Sequence, residues 1–216
     1  MSTYLELVND VLIRLRETEV SSVQSNSYSK LIGKFINDSK RRVEDSFDWN
    51  ALGSTVSITC IPGTYNYVLT GTSGRFKVID VINDTNNYVL QNTPISWLDK
   101  QFLISNTQTG SPSYYGFNGV DSNGDTKVDI FPIPDSGDII RFNMTLPQGD
   151  LSSDTDVLLI PSVAVIQGAY AVALAERGED NGLMSSEAVA IYRDTLATHI
   201  AIESSRYVEN DVWTPT

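Results

Sequence analysis

Apolar and polar residues change their period twice along this chain, from helical to strand and back to helical. Over residues 4–16, Tyr4, Leu5, Val8, Val11, Leu12 and Leu15 recur at spacings of three and four, the stripe of an amphipathic helix. Thr3 and Glu6 stand three apart at its start. That is the capping-box arrangement, in which each side chain satisfies the other residue's free amide. A polar stretch over 21–27 breaks the stripe, which restarts at Tyr28 and runs through Leu31, Ile32, Phe35, Ile36, Val43 and Phe47. Gly33 costs this second helix about 1 kcal/mol relative to alanine, which points to close packing there. The first 50 residues thus read as two helices.

From Thr55 the period falls to two. Val56, Ile58 and Cys60 alternate with polar residues, Pro62-Gly63 turns the chain, and Tyr65, Tyr67 and Leu69 alternate again. This predicts a β-hairpin. A loop over 71–74 leads to a strand over 75–82, and the polar turn 83–87 precedes Tyr88, Val89 and Leu90. The stretch 95–104, with Trp97, Leu98, Phe102 and Leu103, does not settle on one period and is open to a short helix. Strands are expected over 113–120, 126–131 and 138–146. Helix returns after Asp156, with Pro161 suited to a first turn and Gly178 to a C-cap. The alanines at 164, 169, 171, 173 and 175 imply a helix wedged closely against its neighbours. A last helix, about 186–206, carries Val189, Tyr192, Leu196, His199 and Ile202. The expected fold class is α+β: a helical bundle from residues 1–52 and 151–206, an inserted, mostly antiparallel β-domain over 53–150, and a C-terminal arm over 207–216.

Composition narrows the class. Of 216 residues, 41% are hydrophobic and 19% charged, a globular balance that excludes disorder. No run approaches the roughly 20 apolar residues of a membrane span. The opening MSTYLELVND lacks the basic and apolar regions of a secretory signal, and Cys60, the one cysteine, has no partner for an internal disulfide. Synthesis in a reducing cytoplasm is expected. The net charge is −12, from 27 acidic and 15 basic residues, whereas nucleic-acid binders present basic patches. Lys40-Arg41-Arg42 is the basic cluster, and Glu44 and Asp45 follow it at once. It reads as a solvated helix face with local ion pairs rather than a phosphate site. An acidic surface does suit a channel through which DNA slides, because it repels phosphate.

Candidate chemistry is sparse. Asp121-Ser122-Asn123-Gly124-Asp125, with Asp129 beyond, resembles the opening of a calcium loop. Glycine stands at the fourth position instead of the sixth, which is Thr126, and the twelfth is Pro132 rather than glutamate. Between two alternating strands, Asn123-Gly124 reads better as a hairpin turn. His199 and Cys60 are the only residues of their types, on a helix and a strand. The sequence has no G-x-S-x-G elbow, P-loop or G-x-G-x-x-G. Carboxylates such as Glu176 and Glu179 are abundant, but abundance identifies no catalytic pair. The expectation is a non-enzyme with no cofactor.

The segment YSKLIGKFINDSKRRVEDSFDWNAL, residues 28–52, resembles the start of phage head-to-tail adaptor proteins, a family that includes the tail tubular protein A of short-tailed phages. Phe35-Ile36-Asn37-Asp38-Ser39-Lys40 and Asp48-Trp49-Asn50-Ala51-Leu52 carry the likeness most strongly. It continues through Ile130-Phe131-Pro132-Ile133-Pro134-Asp135 and the alanine-rich run ending at Glu176-Arg177-Gly178. The resemblance implies a helical bundle with an inserted β-domain, at the head–tail junction of the virion. It further implies a ring of twelve subunits beneath the portal protein, carrying the tail nozzle protein, through which genomic DNA passes without sequence-specific binding. Two other readings stand beside it: a calcium-dependent β-sandwich binding module, and a peptidoglycan hydrolase using paired carboxylates. Within the adaptor reading, Tyr207, Val208, Val212 and Trp213 are expected to anchor a docking arm for the portal, because interfaces favour rigid aromatic rings. The competing reading folds Trp213 back onto its own subunit.

Overall fold

The computed structural model describes residues 2–72, 74–178 and 183–207. In chain order its elements begin with α1 (Tyr4–Arg14), α2 (Ser27–Ser46), a short 3-10 turn (Asn50–Leu52), β1 (Gly53–Thr59), β2 (Asn66–Leu69) and β3 (Lys77–Asn83). There follow β4 (Tyr88–Val89), β5 (Gln91–Asn92), α3 (Ile95–Phe102), β6 (Tyr114–Val120), β7 (Thr126–Phe131) and β8 (Ile139–Thr145). The last two helices are α4 (Ser162–Arg177) and α5 (Leu183–Ser204). The fold is α+β, with N- and C-terminal helices flanking a mostly antiparallel β region. The chain forms two compact units, Met1–Leu52 with Gln148–Thr216, and Gly53–Pro147.

In the helical unit, the capping box at α1 closes as the spacing predicts. The Thr3 amide donates to Glu6 Oε2 at 2.8 Å and the Glu6 amide to Thr3 Oγ1 at 3.3 Å. Asn26 caps α2 by accepting from the Ser29 amide at 2.7 Å. α4 packs against α1, α2 and α5 and is apolar on most sides. Its small residues let the backbones approach: a Cβ on Gly168 would collide with Ser39 Oγ and lie 3.1 Å from Tyr192. Gly33 of α2 is equally constrained, since a Cβ there would collide with the Tyr4 hydroxyl and meet Val23 at 3.0 Å. Gly178 ends α4 at φ 62°, its amide bonded to the Leu174 carbonyl. Pro161 stands at the N-cap of α4, one residue before the first turn expected for it.

The β unit holds two four-stranded sheets, ordered β1-β8-β3-β4 and β2-β7-β6-β5, antiparallel except for β5 against β6. Its core draws on both sheets, with Leu69, Val81, Val128, Ile130, Ile140, Phe142 and Met144 fully buried. The hairpin predicted over 56–69 does not form: β1 pairs with β8 and β2 with β7, in different sheets. Alternation specifies that each strand has one buried face, but not which strand lies beside it. The connection around Pro62-Gly63 is also longer than the two-residue loops that lock a hairpin. Tyr67 organises it, accepting from the Ile61 amide at 2.8 Å and donating to the Thr64 carbonyl at 2.9 Å. The stretch 95–104 resolves as α3, whose Trp97 packs against Tyr114 and Phe131.

Candidate assembly surface

Within the segment that carries the sequence resemblance, residues 37, 40, 41 and 44 share one stripe of α2. That stripe holds the segment 148–151, where the chain re-enters the helical unit. Asn37 grips Leu151 from both sides, accepting from its amide at 2.9 Å and donating to its carbonyl at 3.0 Å. Lys40 donates to Glu44 Oε1 at 2.9 Å and to the Gln148 carbonyl at 2.6 Å. The Gln148 amide donates to the same Glu44 oxygen at 3.1 Å. Arg41 closes the outer edge with a two-pronged pair to Asp150, at 3.2 and 2.5 Å.

Lys40 therefore departs from the solvated face expected for the basic cluster, since its side chain is fully buried. Charge predicts the cost of burial, not its location. Here Glu44, one turn on, supplies the counter-ion, and the returning backbone completes the hydrogen bonding. Arg41 keeps the exposed ion pairs foreseen for it.

At the other end of α2, Trp49 is buried in the helical core and its indole N–H donates to the Val43 carbonyl at 2.7 Å. Phe47 lies edge-on to Trp49 at 5.7 Å and edge-on to Tyr207 at 5.9 Å. The Tyr207 hydroxyl donates to the Asp48 carbonyl. Burial, with help from the charges of Glu203 and Asp48, pushes that phenol up, so it remains protonated and able to donate. Glu203 accepts from the Asn50 amide at 2.9 Å and from Arg206 at 2.9 Å. The end of α5 is thus tied to residues 47–50. Of the four arm anchors, Tyr207 is described and 44% exposed, with these contacts inside its own chain. Val208, Val212 and Trp213 lie outside the described residues.

Beside this junction runs a groove of about 240 Å³, floored by Trp49 and walled by Leu159, Pro161, His199, Ile202 and Arg206. No periodic pattern in the sequence points to it, because Leu159, Ile160 and Pro161 come from the segment between elements. The apolar run Val157-Leu158-Leu159-Ile160 before Pro161, and Ile202 on the last helix, were the signals the sequence offered.

The candidate chemical groups are committed elsewhere. Asp121 Oδ1 accepts from the Asn123 and Asp125 amides at 2.8 and 2.9 Å, and Asp125 Oδ1 from the Gly71 amide at 2.9 Å. With Gly124 at φ +86° and β6 paired to β7 on either side, the loop is the hairpin turn its Asn-Gly predicts. Asp129 is buried and accepts from Asn66 and Asn118. Cys60 is buried, and loss of hydration, then the charge of Asp138, pushes its thiol up to about 11. Little of the nucleophilic thiolate exists at neutral pH. His199 is half-buried on α5 in the groove wall, and Glu176 is exposed. Glu179 lies outside the described residues. Among the described residues no group of three or more His, Cys, Asp or Glu could hold a metal ion.

The architecture is a helical bundle that carries an inserted β unit, with Asn37, Lys40, Arg41 and Glu44 clamping the chain where it re-enters the bundle. The chain matches the family described as SU10 adaptor protein over residues 2–214 and belongs to it, a family of phage head-to-tail adaptors. No curated protein matches it. Membership makes the chain a structural protein of the virion head–tail junction.

Proposed function

We propose that this adaptor acts by forming a ring of twelve subunits that docks beneath the portal protein, extends the DNA channel and carries the tail nozzle protein. The family match over nearly the whole chain carries the reading. The net charge of −12 supports it physically: a channel that must let DNA slide gains from repelling phosphate rather than binding it. The α2 clamp supports it mechanically, because Asn37, Lys40, Arg41 and Glu44 fix the point where the chain returns from the β unit. Genomic DNA is cargo, not a sequence-specific ligand. The C-terminal arm docks on the portal through Val208, Val212 and Trp213, and Tyr207, packed on its own Phe47 and Asp48 carbonyl, fixes the point from which it leaves.

The same charge opposes assembly of copies alone. Copies at −12 repel one another, so ring formation depends on the partner or on concentration and weakens as salt is lowered. Mass photometry of the chain mixed with the portal of the same phage, across ionic strengths, tests this. A twelve-subunit complex is expected, and a stoichiometry unrelated to twelve refutes the ring.

A further inference from the structure

Strand β1 leaves one long edge of its sheet open. The order β1-β8-β3-β4 puts β8 on one side of it and no described strand on the other. The register decides which groups that edge presents. The Cys60 amide bonds to the Asp138 carbonyl at 2.8 Å, and the Asp84 amide to the Ile139 carbonyl at 2.9 Å. Antiparallel ladders alternate, so the even residues of β8 bond to β1 and the odd ones to β3. Ser54, Val56 and Ile58 therefore face β8, whereas Gly53, Thr55, Ser57 and Thr59 turn their N–H and C=O groups outward. All four are exposed, and no described residue bonds those outward groups.

Open edges are ordinarily blunted by charge, proline, a bulge or brevity. β1 has none of these devices. Its sequence GSTVSIT carries no charge and no proline, and its pairing with β8 is unbroken over seven residues. The other open edges are short, with four residues at β2 and two each at β4 and β5.

We propose that the β1 edge pairs with β1 of a second copy of this chain, antiparallel across a two-fold axis at Val56. The two four-stranded sheets then run on as one. Among the described strands only β1 itself offers an open edge of matching length. In that register the outward residues meet, Gly53 on Thr59 and Thr55 on Ser57, for about eight hydrogen bonds. Val56, half-buried on the inner face, meets its own copy at the axis, a β-branched pair that gains burial. The uncharged edge also lets two copies of net charge −12 approach with no like charge directly opposite. A two-fold contact does not propagate round a ring. The pairing thus belongs to the free chain, before the portal is met, and stands independently of the ring reading.

Sedimentation velocity on the full chain alone, from micromolar to sub-millimolar concentration, tests this. A monomer–dimer equilibrium that tightens with added salt is expected. Thr55→Lys combined with Ser57→Lys sets like charges opposite each other and should weaken the dimer roughly ten-fold. Thr55→Lys combined with Ser57→Glu sets opposite charges there and should restore it. Val56→Cys should oxidise to a disulfide between two chains, because facing residues of a non-hydrogen-bonded pair bring their Cα atoms to about 4.5 Å. A chain that stays monomeric throughout overturns the proposal, as does a dimer indifferent to the two lysines. A dimer lost in the first double variant and not regained in the second, with no disulfide through position 56, refutes the register and the two-fold with it.

Discussion

Removing the ammonium of Lys40 should be among the most damaging single changes in the helical unit. Lys40→Met keeps the buried stem filled, so no cavity opens, but it strips the carboxylate of Glu44 of its counter-ion. Both side chains are fully buried, and the Gln148 carbonyl loses its 2.6 Å donor as well. Breaking one side of such a pair costs about 3–5 kcal/mol, because a buried charge loses its nearest counter-ion and keeps little more than the Gln148 amide's hydrogen bond to offset its lost hydration. At about 2–4 °C per kcal/mol for a chain of this size, the melting temperature should fall by roughly 6–20 °C. Glu44→Gln still accepts from the Gln148 amide and leaves Lys40 between two neutral oxygens, so its cost should be smaller, about 1–3 kcal/mol. Combining Lys40→Met with Glu44→Gln removes both charges and still leaves the Gln148 carbonyl without its donor, yet the double variant should cost less than the sum of the singles by about 2 kcal/mol. Urea denaturation followed by circular dichroism, at low and high salt, measures all three. Screening by salt should change little, since the pair is shielded from solvent. A Lys40→Met penalty under about 1 kcal/mol, or additivity in the double variant, refutes the argument.

Gly33→Ala should destabilise by about 1–3 kcal/mol despite the better helix propensity of alanine, because the Tyr4 hydroxyl occupies the space; Tyr4→Phe should restore part of the loss on thermal melting. Burial pushes the Asp138 carboxyl up, but hydrogen bonds from Ser111, Asn83, Ser136 and Asn86 together outweigh it and hold it below the usual range. Its stabilisation is therefore whole above about pH 4 and is lost as pH falls through the lowered value; unfolding titrations of wild type and Asp138→Asn should converge in acid, and parallel curves would contradict this. Isothermal titration with calcium should show no binding tighter than millimolar, because the carboxylates of residues 121 and 125 already hold backbone amides. Micromolar binding abolished by Asp121→Ala with Asp125→Ala would restore the binding-module reading.

Local rules made much of this molecule legible. The Thr3–Glu6 box, the Gly178 cap, the Asn123-Gly124 turn and the tight approach at Gly33 each follow from a residue type acting on its own neighbourhood. Strand partners were another matter. The alternation of 56–60 and 65–69 is real, but the choice of β8 and β7 as partners depends on residues some 60 to 90 positions away. The groove beside Trp49 escaped notice for the same reason, since residues 49, 159–161 and 199–206 meet only after folding.

By itself, then, the sequence determined most element types, 95–104 apart, together with the α+β class and the adaptor family, because periodicity, caps and motifs are properties of contiguous residues. Tertiary structure alone decided what the motif residues do. Lys40 reads as one member of a basic run, yet it is sealed between Glu44 and the returning Gln148, and Asn37 finds its purpose in a backbone 114 residues later. A side chain's charge and size are written in its codon, but its burial and partners are set by whichever distant segment packs against it.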